Sequence, residues 1–150
     1  NPNLTPGIAD GQKFKIYISC FTSVAMDNFS RIPTTDNRLL RRTIRDNATR
    51  GHNAQRTLEM WPDVRRGEER HIFPYQENAD VMFNSSLFYE ISVLKAIAEP
   101  ILREVPDTVV EHAEAKRLLK FLDNFVAISS EEIPPTSLLR EFIGGSSFKY

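Results

Sequence analysis

The sequence has 150 residues, of which 41% are hydrophobic and 26% are charged, and this composition is typical of one soluble globular domain. A formal net charge of −1 argues against a generally basic nucleic-acid binder, and no apolar run reaches the ~18 residues that cross a bilayer. The single cysteine, Cys20, excludes an internal disulfide and favours a reducing, cytoplasmic location.

Charge is distributed unevenly along the chain. Residues 31–70 hold ten Arg, no Lys and six acids, whereas residues 71–150 hold seven basic and twelve acidic residues. The positive charge is therefore local and consists of Arg, whose planar guanidinium grips phosphate or carboxylate with two parallel hydrogen bonds. The chain opens with NPNLTPG and no Met, which we interpret as the result of processing or trimming, or as a fragment.

The first predicted element is a strand over KFKIYISC, residues 13–20. Phe14, Ile16 and Ile18 fall on one side of the alternating pattern, which is the period of a strand. Cys20 at its end is expected to be a small buried residue.

An arginine-rich helix is predicted next, over residues 37–50. Asp36 is expected to cap its start by accepting from free backbone N–H groups, and Gly51 to end it in the left-handed conformation. A second helix follows, with Asn53 as its cap, a new start or a kink at Pro62, and an end before Pro74.

The remaining elements are one strand and three helices. ADVMFN, residues 79–84, predicts a short buried strand. Helical spacing predicts helices over 85–105 and 109–128, and a short helix is expected after PPTS. The inner face of the 109–128 helix is predicted to comprise Ala115, Leu118, Leu119, Leu122 and Phe125.

The two predicted strands are both apolar enough to be interior. A buried strand needs neighbours on both sides, and two strands cannot supply them for each other. We therefore expect an α/β fold in which part of the sheet lies outside this sequence.

Helix geometry places Arg38, Arg41, Arg42 and Arg45 on one face, because residues three, four and seven apart are neighbours on an α-helix. Leu40 and Ile44 form an apolar seam across from most of them. Two interpretations stay open. The arginines either pair with acids from elsewhere in the fold, or they grip phosphate groups.

The arginine pattern also carries a resemblance to a known family. Its spaced elements are Arg38-Leu39, Arg41-Arg42, Arg45-Asp46 and Arg50-Gly51. This pattern resembles the lid segment of the uridine kinase and phosphoribulokinase group of P-loop kinases. Ile72 and Pro74 before Ala79-Asp80-Val81 resemble that family's return to the sheet.

The chain end adds to this resemblance. SLLREFIGGSSF resembles the C-terminal region of larger bacterial uridine-kinase-like proteins, which carry an N-terminal domain of the TGS type. The resemblance implies the C-terminal portion of a P-loop NTPase-like kinase. Its lid would span about residues 36–75, and its helical C-terminal region about residues 85–150.

The resemblance implies an ATP-dependent phosphotransferase of the nucleoside kinase type that uses ATP and Mg²⁺ and acts on a nucleoside-like hydroxyl. By position, Arg42, Arg45 and Arg50 would be catalytic and close on the ATP phosphates. Arg38 and Arg41 would support them, and Asp46 would orient an arginine. The resemblance implies no membrane or nucleic-acid partner, and it is compatible with a homo-oligomer.

Part of the kinase chemistry is absent from this sequence. None of the six glycines begins a GxxxxGK[ST] phosphate loop, and the family's catalytic aspartate lies upstream of the lid. The Mg²⁺ ligands would lie mostly in that half. We therefore expect this chain to be inactive as a kinase by itself.

Two positions differ from the residues that are usual in the uridine kinases. His52 stands where an Arg is usual after Arg-Gly, and Met60-Trp61 occupies the neighbourhood of a usual Gln. His52 and Trp61 are candidate substrate contacts. The plainer interpretation of His52 is a surface or capping residue, and that of Trp61 is core packing. Glu68-Glu69 is interpreted as solvated charge, and the three His show no metal-ligand spacing.

Two other function classes remain. The same arginines would suit a noncatalytic anion- or RNA-binding module, although the strip lacks interleaved aromatic residues. A regulatory fragment that docks on an intact kinase through its unpaired strand edges is the third hypothesis.

Overall fold

The computed structural model describes residues 4–149. In order, their strands and α-helices are β1 (Ile16–Ser19), α1 (Thr34–Arg50), α2 (Ala54–His71), β2 (Val81–Asn84), α3 (Glu90–Arg103), α4 (His112–Leu122) and α5 (Arg140–Ile143). Short 3₁₀ turns occupy Asp10–Gln12 and Phe73–Asn78. The chain is mostly helical with one parallel strand pair, which confirms the α/β class.

Helix α1 begins three residues earlier than predicted. Pro33 precedes it without a side-chain cap, so the prediction that Asp36 caps this helix is wrong. Asp36 lies inside the first turn, where it is buried and accepts hydrogen bonds from Arg117 on α4. The helix ends at Gly51 with φ of 65°, as predicted.

Helix α2 begins with the predicted cap. The Asn53 side chain accepts a hydrogen bond of 2.9 Å from the backbone N–H of Arg56. The helix continues through Pro62 to His71, so no second helix starts at Pro62. The 3₁₀ turn at Phe73–Asn78 then leads the chain back to β2.

The two strands run parallel, with Ile16 opposite Val81 and Ser19 opposite Asn84. Side-chain hydrogen bonds to the backbone flank the strand pair at both ends. The Asp80 carboxylate accepts from the Lys15 N–H at 2.6 Å, and the Asn84 amide exchanges hydrogen bonds with the backbone of Phe21.

The expectation that both strands are interior is wrong for the described residues. All four residues of β2 are exposed, and Ile18 of β1 is 63% exposed. Apolar content alone does not bury a strand, because a covering layer and neighbouring strands must be present.

The core lies between the helices. Leu40 and Ile44 are buried in the core, where α1 packs against α3, α5 and α2, which confirms the predicted apolar seam. Three residues of α4, Ala115, Leu118 and Leu122, are buried as predicted. Leu119 of α4 and Phe125, just beyond its end, are partly buried against the core. Helices α3 and α4 are shorter than predicted, beginning at Glu90 and His112. No helix within residues 4–149 is both long and apolar enough to cross a membrane.

Candidate anion-binding site

A cavity of about 220 Å³ lies at the carboxyl ends of β1 and β2. Four predicted arginines share its wall with Trp61 of α2 and with residues that follow both strands. We call it the arginine cavity, and its lining comprises Ile18, Ser19, Cys20, Arg38, Arg41, Arg42, Arg45, Trp61, Val64, Glu68, Ser85 and Phe142.

Arg41 is the most buried of these arginines, with 8% of its surface exposed. It forms an ion pair with the buried carboxylate of Glu90, and its Nη2 donates to the Ser85 carbonyl at 2.7 Å. Its guanidinium lies 5.1 Å from the centre of the Phe142 ring. Contacts from Ser85, just after β2, and from α3 and α5 therefore fix this side chain in one orientation.

Glu90 stands at the centre of a buried polar group. It also accepts a hydrogen bond from the Asn37 amide, and Ser86 lies within hydrogen-bond distance at 3.4 Å. Burial raises the pKa of the neighbouring Cys20 thiol to about 12, so this thiol stays protonated at neutral pH. Cys20 is buried as predicted.

Asp46 gathers three further arginines. Its side chain is fully buried, and the guanidiniums of Arg42, Arg45 and Arg50 lie 3.2, 3.7 and 3.0 Å from its oxygens. Arg45 also lies 3.6 Å from Glu141 of α5. Asp46 is therefore the shared acidic neighbour of these three arginines.

Arg38 is held by an acid that we expected to be solvated. Glu68 is buried, forms an ion pair with Arg38, and accepts from Arg65 at 3.2 Å. The solvated interpretation is wrong for Glu68, although Glu69 is exposed. Acids from α2, α3 and α5 therefore do pair with the arginine face.

The pairing is incomplete in one respect. The Nε atoms of Arg41, Arg42 and Arg45 are buried and have no hydrogen-bond partner within residues 4–149. Arg42 Nε lies near Asp46 Oδ2, yet neither atom completes a hydrogen bond. An unmade buried hydrogen bond is costly, so these three Nε atoms are polar groups that the described residues leave unsatisfied.

The two weak substrate candidates differ in position. Trp61 lines the arginine cavity and also packs against the core. His52 is half-buried beyond α1, where its backbone N–H donates to the Asp46 carbonyl at 3.1 Å. Arg50 reaches Asp46 from the exposed end of α1 and is not among the residues that line the cavity.

Sequence reasoning missed Glu68, Glu90, Ser85 and Phe142 as parts of the site. A signal existed for the two acids. Glu90 precedes the buried Val93 and Leu94 by three and four positions, and Glu68 follows Val64 by four positions and Trp61 by seven. An acid in phase with an apolar face is a candidate for burial beside an arginine.

Within residues 4–149, no group of three or more His, Cys, Asp or Glu side chains is placed to hold a metal ion. Comparisons of the chain with protein-family models, with curated proteins and with solved structures find no match.

Proposed function

We propose that this chain is the phosphate-binding C-terminal part of an ATP-dependent phosphotransferase of the nucleoside kinase type. One observation carries the proposal: Arg38, Arg41, Arg42 and Arg45 line a single cavity at the carboxyl ends of two parallel strands. In open α/β sheets, ligands bind outside the carboxyl ends of the strands.

The chemistry of the cavity supports a phosphate ligand. Guanidinium groups bind phosphate oxygens bidentately and stay charged at any working pH. Four acids, Asp46, Glu68, Glu90 and Glu141, hold the arginines in place, and the five predicted arginines outnumber them by one. Arg42, Arg45 and Arg50 would stabilise the charge that develops on a transferring phosphoryl group.

The exposed strand pair supports the view that the catalytic unit is larger. Parallel sheets are stable when both faces are covered, and this pair exposes Ile18, Met82 and Phe83. A phosphate-loop polypeptide that extends this sheet would complete the kinase, and the chain alone is expected not to turn over ATP. Mg²⁺ would be held by that other part.

The proposal is tested by calorimetric titration of the chain with inorganic triphosphate and ATP. Trp61 is the single Trp of the sequence and lines the cavity, so its fluorescence gives a second readout. We expect saturable binding of both anions and a change in Trp61 emission. Arg45→Lys keeps the charge but loses the bidentate grip, so triphosphate affinity should fall about tenfold.

Arg66→Lys is the matched control, because Arg66 is exposed on α2 and pairs only with Asp63 among the described residues. It should leave triphosphate affinity unchanged. Absence of triphosphate binding by calorimetry and by fluorescence would overturn the proposal. Tight, salt-dependent RNA binding that does not respond to ATP would favour the RNA-binding module instead.

A further inference from the structure

A second cleft, of about 310 Å³, adjoins the arginine cavity. Both are lined in part by Ser19 and Arg38, so they share one wall. We call this second space the aromatic cleft, and its lining comprises Tyr17, Ser19, Phe21, Thr34, Thr35, Arg38, Arg65, Phe73 and Gln76.

Aromatic rings enter the cleft from two elements. Tyr17 of β1 stacks on Phe21 with ring centroids 6.0 Å apart and planes at 27°. Phe73 reaches the cleft from the 3₁₀ turn, with the Arg65 guanidinium 5.5 Å from its ring centre. All three rings are half-buried, so each keeps surface that a ligand can cover.

Polar groups lie at the rim of this apolar surface. Gln76 brings a side-chain amide, which both donates and accepts hydrogen bonds. Arg65 is held by Glu68 at 3.2 Å and Glu69 at 3.5 Å, so its position over Phe73 is fixed. A few polar groups beside flat apolar walls are typical of a site for a planar ring that carries edge nitrogen and oxygen atoms.

We propose that the aromatic cleft binds the planar ring of a ligand whose phosphate occupies the arginine cavity. The ligand class is a nucleotide, either as phosphate donor or as phosphorylated acceptor. This inference rests on the proposed phosphate binding and adds the ring-binding residues Tyr17, Phe21 and Phe73. Arg38, on the shared wall, faces the junction between ring and phosphate.

The test compares each nucleotide with its inorganic counterpart by calorimetry on the whole chain. ATP is paired with inorganic triphosphate, and uridine monophosphate with inorganic phosphate. Stacking on aromatic side chains predicts about tenfold tighter binding for at least one nucleotide. A preference within the ATP pair assigns the ring to the donor, and a preference within the monophosphate pair assigns it to the acceptor.

Two variants locate the ring. Phe73→Leu and Tyr17→Leu keep apolar volume but remove a flat surface, so each should cut the nucleotide preference at least severalfold. Inorganic triphosphate affinity should not change, which also reports that the fold is intact. Phe148→Leu is the control, since Phe148 is exposed in the C-terminal tail and does not line the cleft.

The outcomes separate the two proposals. If inorganic triphosphate binds but neither nucleotide binds more tightly than its counterpart, the ring site is overturned while phosphate binding stands. A preference that survives both Phe73→Leu and Tyr17→Leu also overturns the ring site. If inorganic triphosphate does not bind, both proposals fail.

Discussion

Asp36 on α1 and Arg117 on α4 stand 81 positions apart in the sequence and are joined by two hydrogen bonds of 2.8 and 2.7 Å. Asp36 is buried, and the hydrogen bonds that Arg117 donates to Glu114 and then to Asp36 raise the pKa of Arg117, which therefore stays charged. This pair links the first turn of α1 to α4.

Asp36→Asn is expected to lower the free energy of unfolding by about 1–2 kcal/mol, because it weakens a bidentate, charge-assisted pair that is partly screened by solvent. Urea denaturation measures the change. Asp107→Asn alters an exposed acid beyond α3 and should have little effect. Equal effects of the two variants would contradict the role given to Asp36.

Asp46→Asn is expected to be more damaging. Removing the buried carboxylate leaves Arg42, Arg45 and Arg50 without their shared partner, so the free energy of unfolding should fall by about 3 kcal/mol. Thermal and urea unfolding measure this loss. Asp63→Asn removes one partner of an exposed ion pair on α2 and should change stability by less than about 0.5 kcal/mol.

Glu141→Gln is expected to strengthen anion binding. Glu141 lies 3.6 Å from Arg45 and competes with a phosphate for that guanidinium. Triphosphate affinity should rise about two- to fivefold, since the pair is partly exposed. Calorimetric titration measures the rise, and Glu132→Gln, at an exposed acid of the preceding loop, serves as the control. Unchanged triphosphate affinity in Glu141→Gln would show that Glu141 and the phosphate do not compete for Arg45.

Cys20 is expected to resist alkylation in the folded chain at neutral pH and to react rapidly in urea. Burial raises its pKa from 9.0 to about 12, which favours the protonated thiol in the folded state. The stability linked to keeping this thiol protonated in the folded chain is fully present below pH 9.0 and is lost as the pH rises toward about 12. Cys20→Ala should flatten that alkaline decline in urea unfolding curves.

Two glycines should respond to alanine in opposite directions. Gly51 has φ of 65°, so Gly51→Ala should cost about 1 kcal/mol of unfolding free energy. Gly67 lies inside α2 with open space around it, so Gly67→Ala should stabilise the chain by up to about 1 kcal/mol. Urea denaturation of both variants measures the difference in sign.

Local signals predicted much of the fold. Alternation located β1, and the end of α1 at Gly51 and the cap at Asn53 follow from backbone chemistry that neighbouring residues decide. Asp36 was misjudged because its partner, Arg117, lies far along the chain. The exposure of β2 was missed for the same kind of reason, since burial depends on covering elements that composition does not reveal.

The candidate site was predicted in part. Helical spacing predicted that Arg38, Arg41, Arg42 and Arg45 share one helix face, and all four line the arginine cavity. The acids that hold Arg38 and Arg41 were missed because Glu68 and Glu90 lie on other helices, and their spacing with apolar residues does not identify the arginines they pair with. Spacing along one helix does not report which helix packs against it.

The parallel pairing of β1 with β2 has a consequence for the order of folding. It joins residues about 65 positions apart, with both α1 and α2 between them, whereas each helix is built from neighbours in sequence. Loop closure must therefore precede any hydrogen bond between the strands, and helices form much faster than such distant contacts. The strand pair is the last element expected to assemble on refolding, so the carboxyl-end wall of the arginine cavity is completed only at that step.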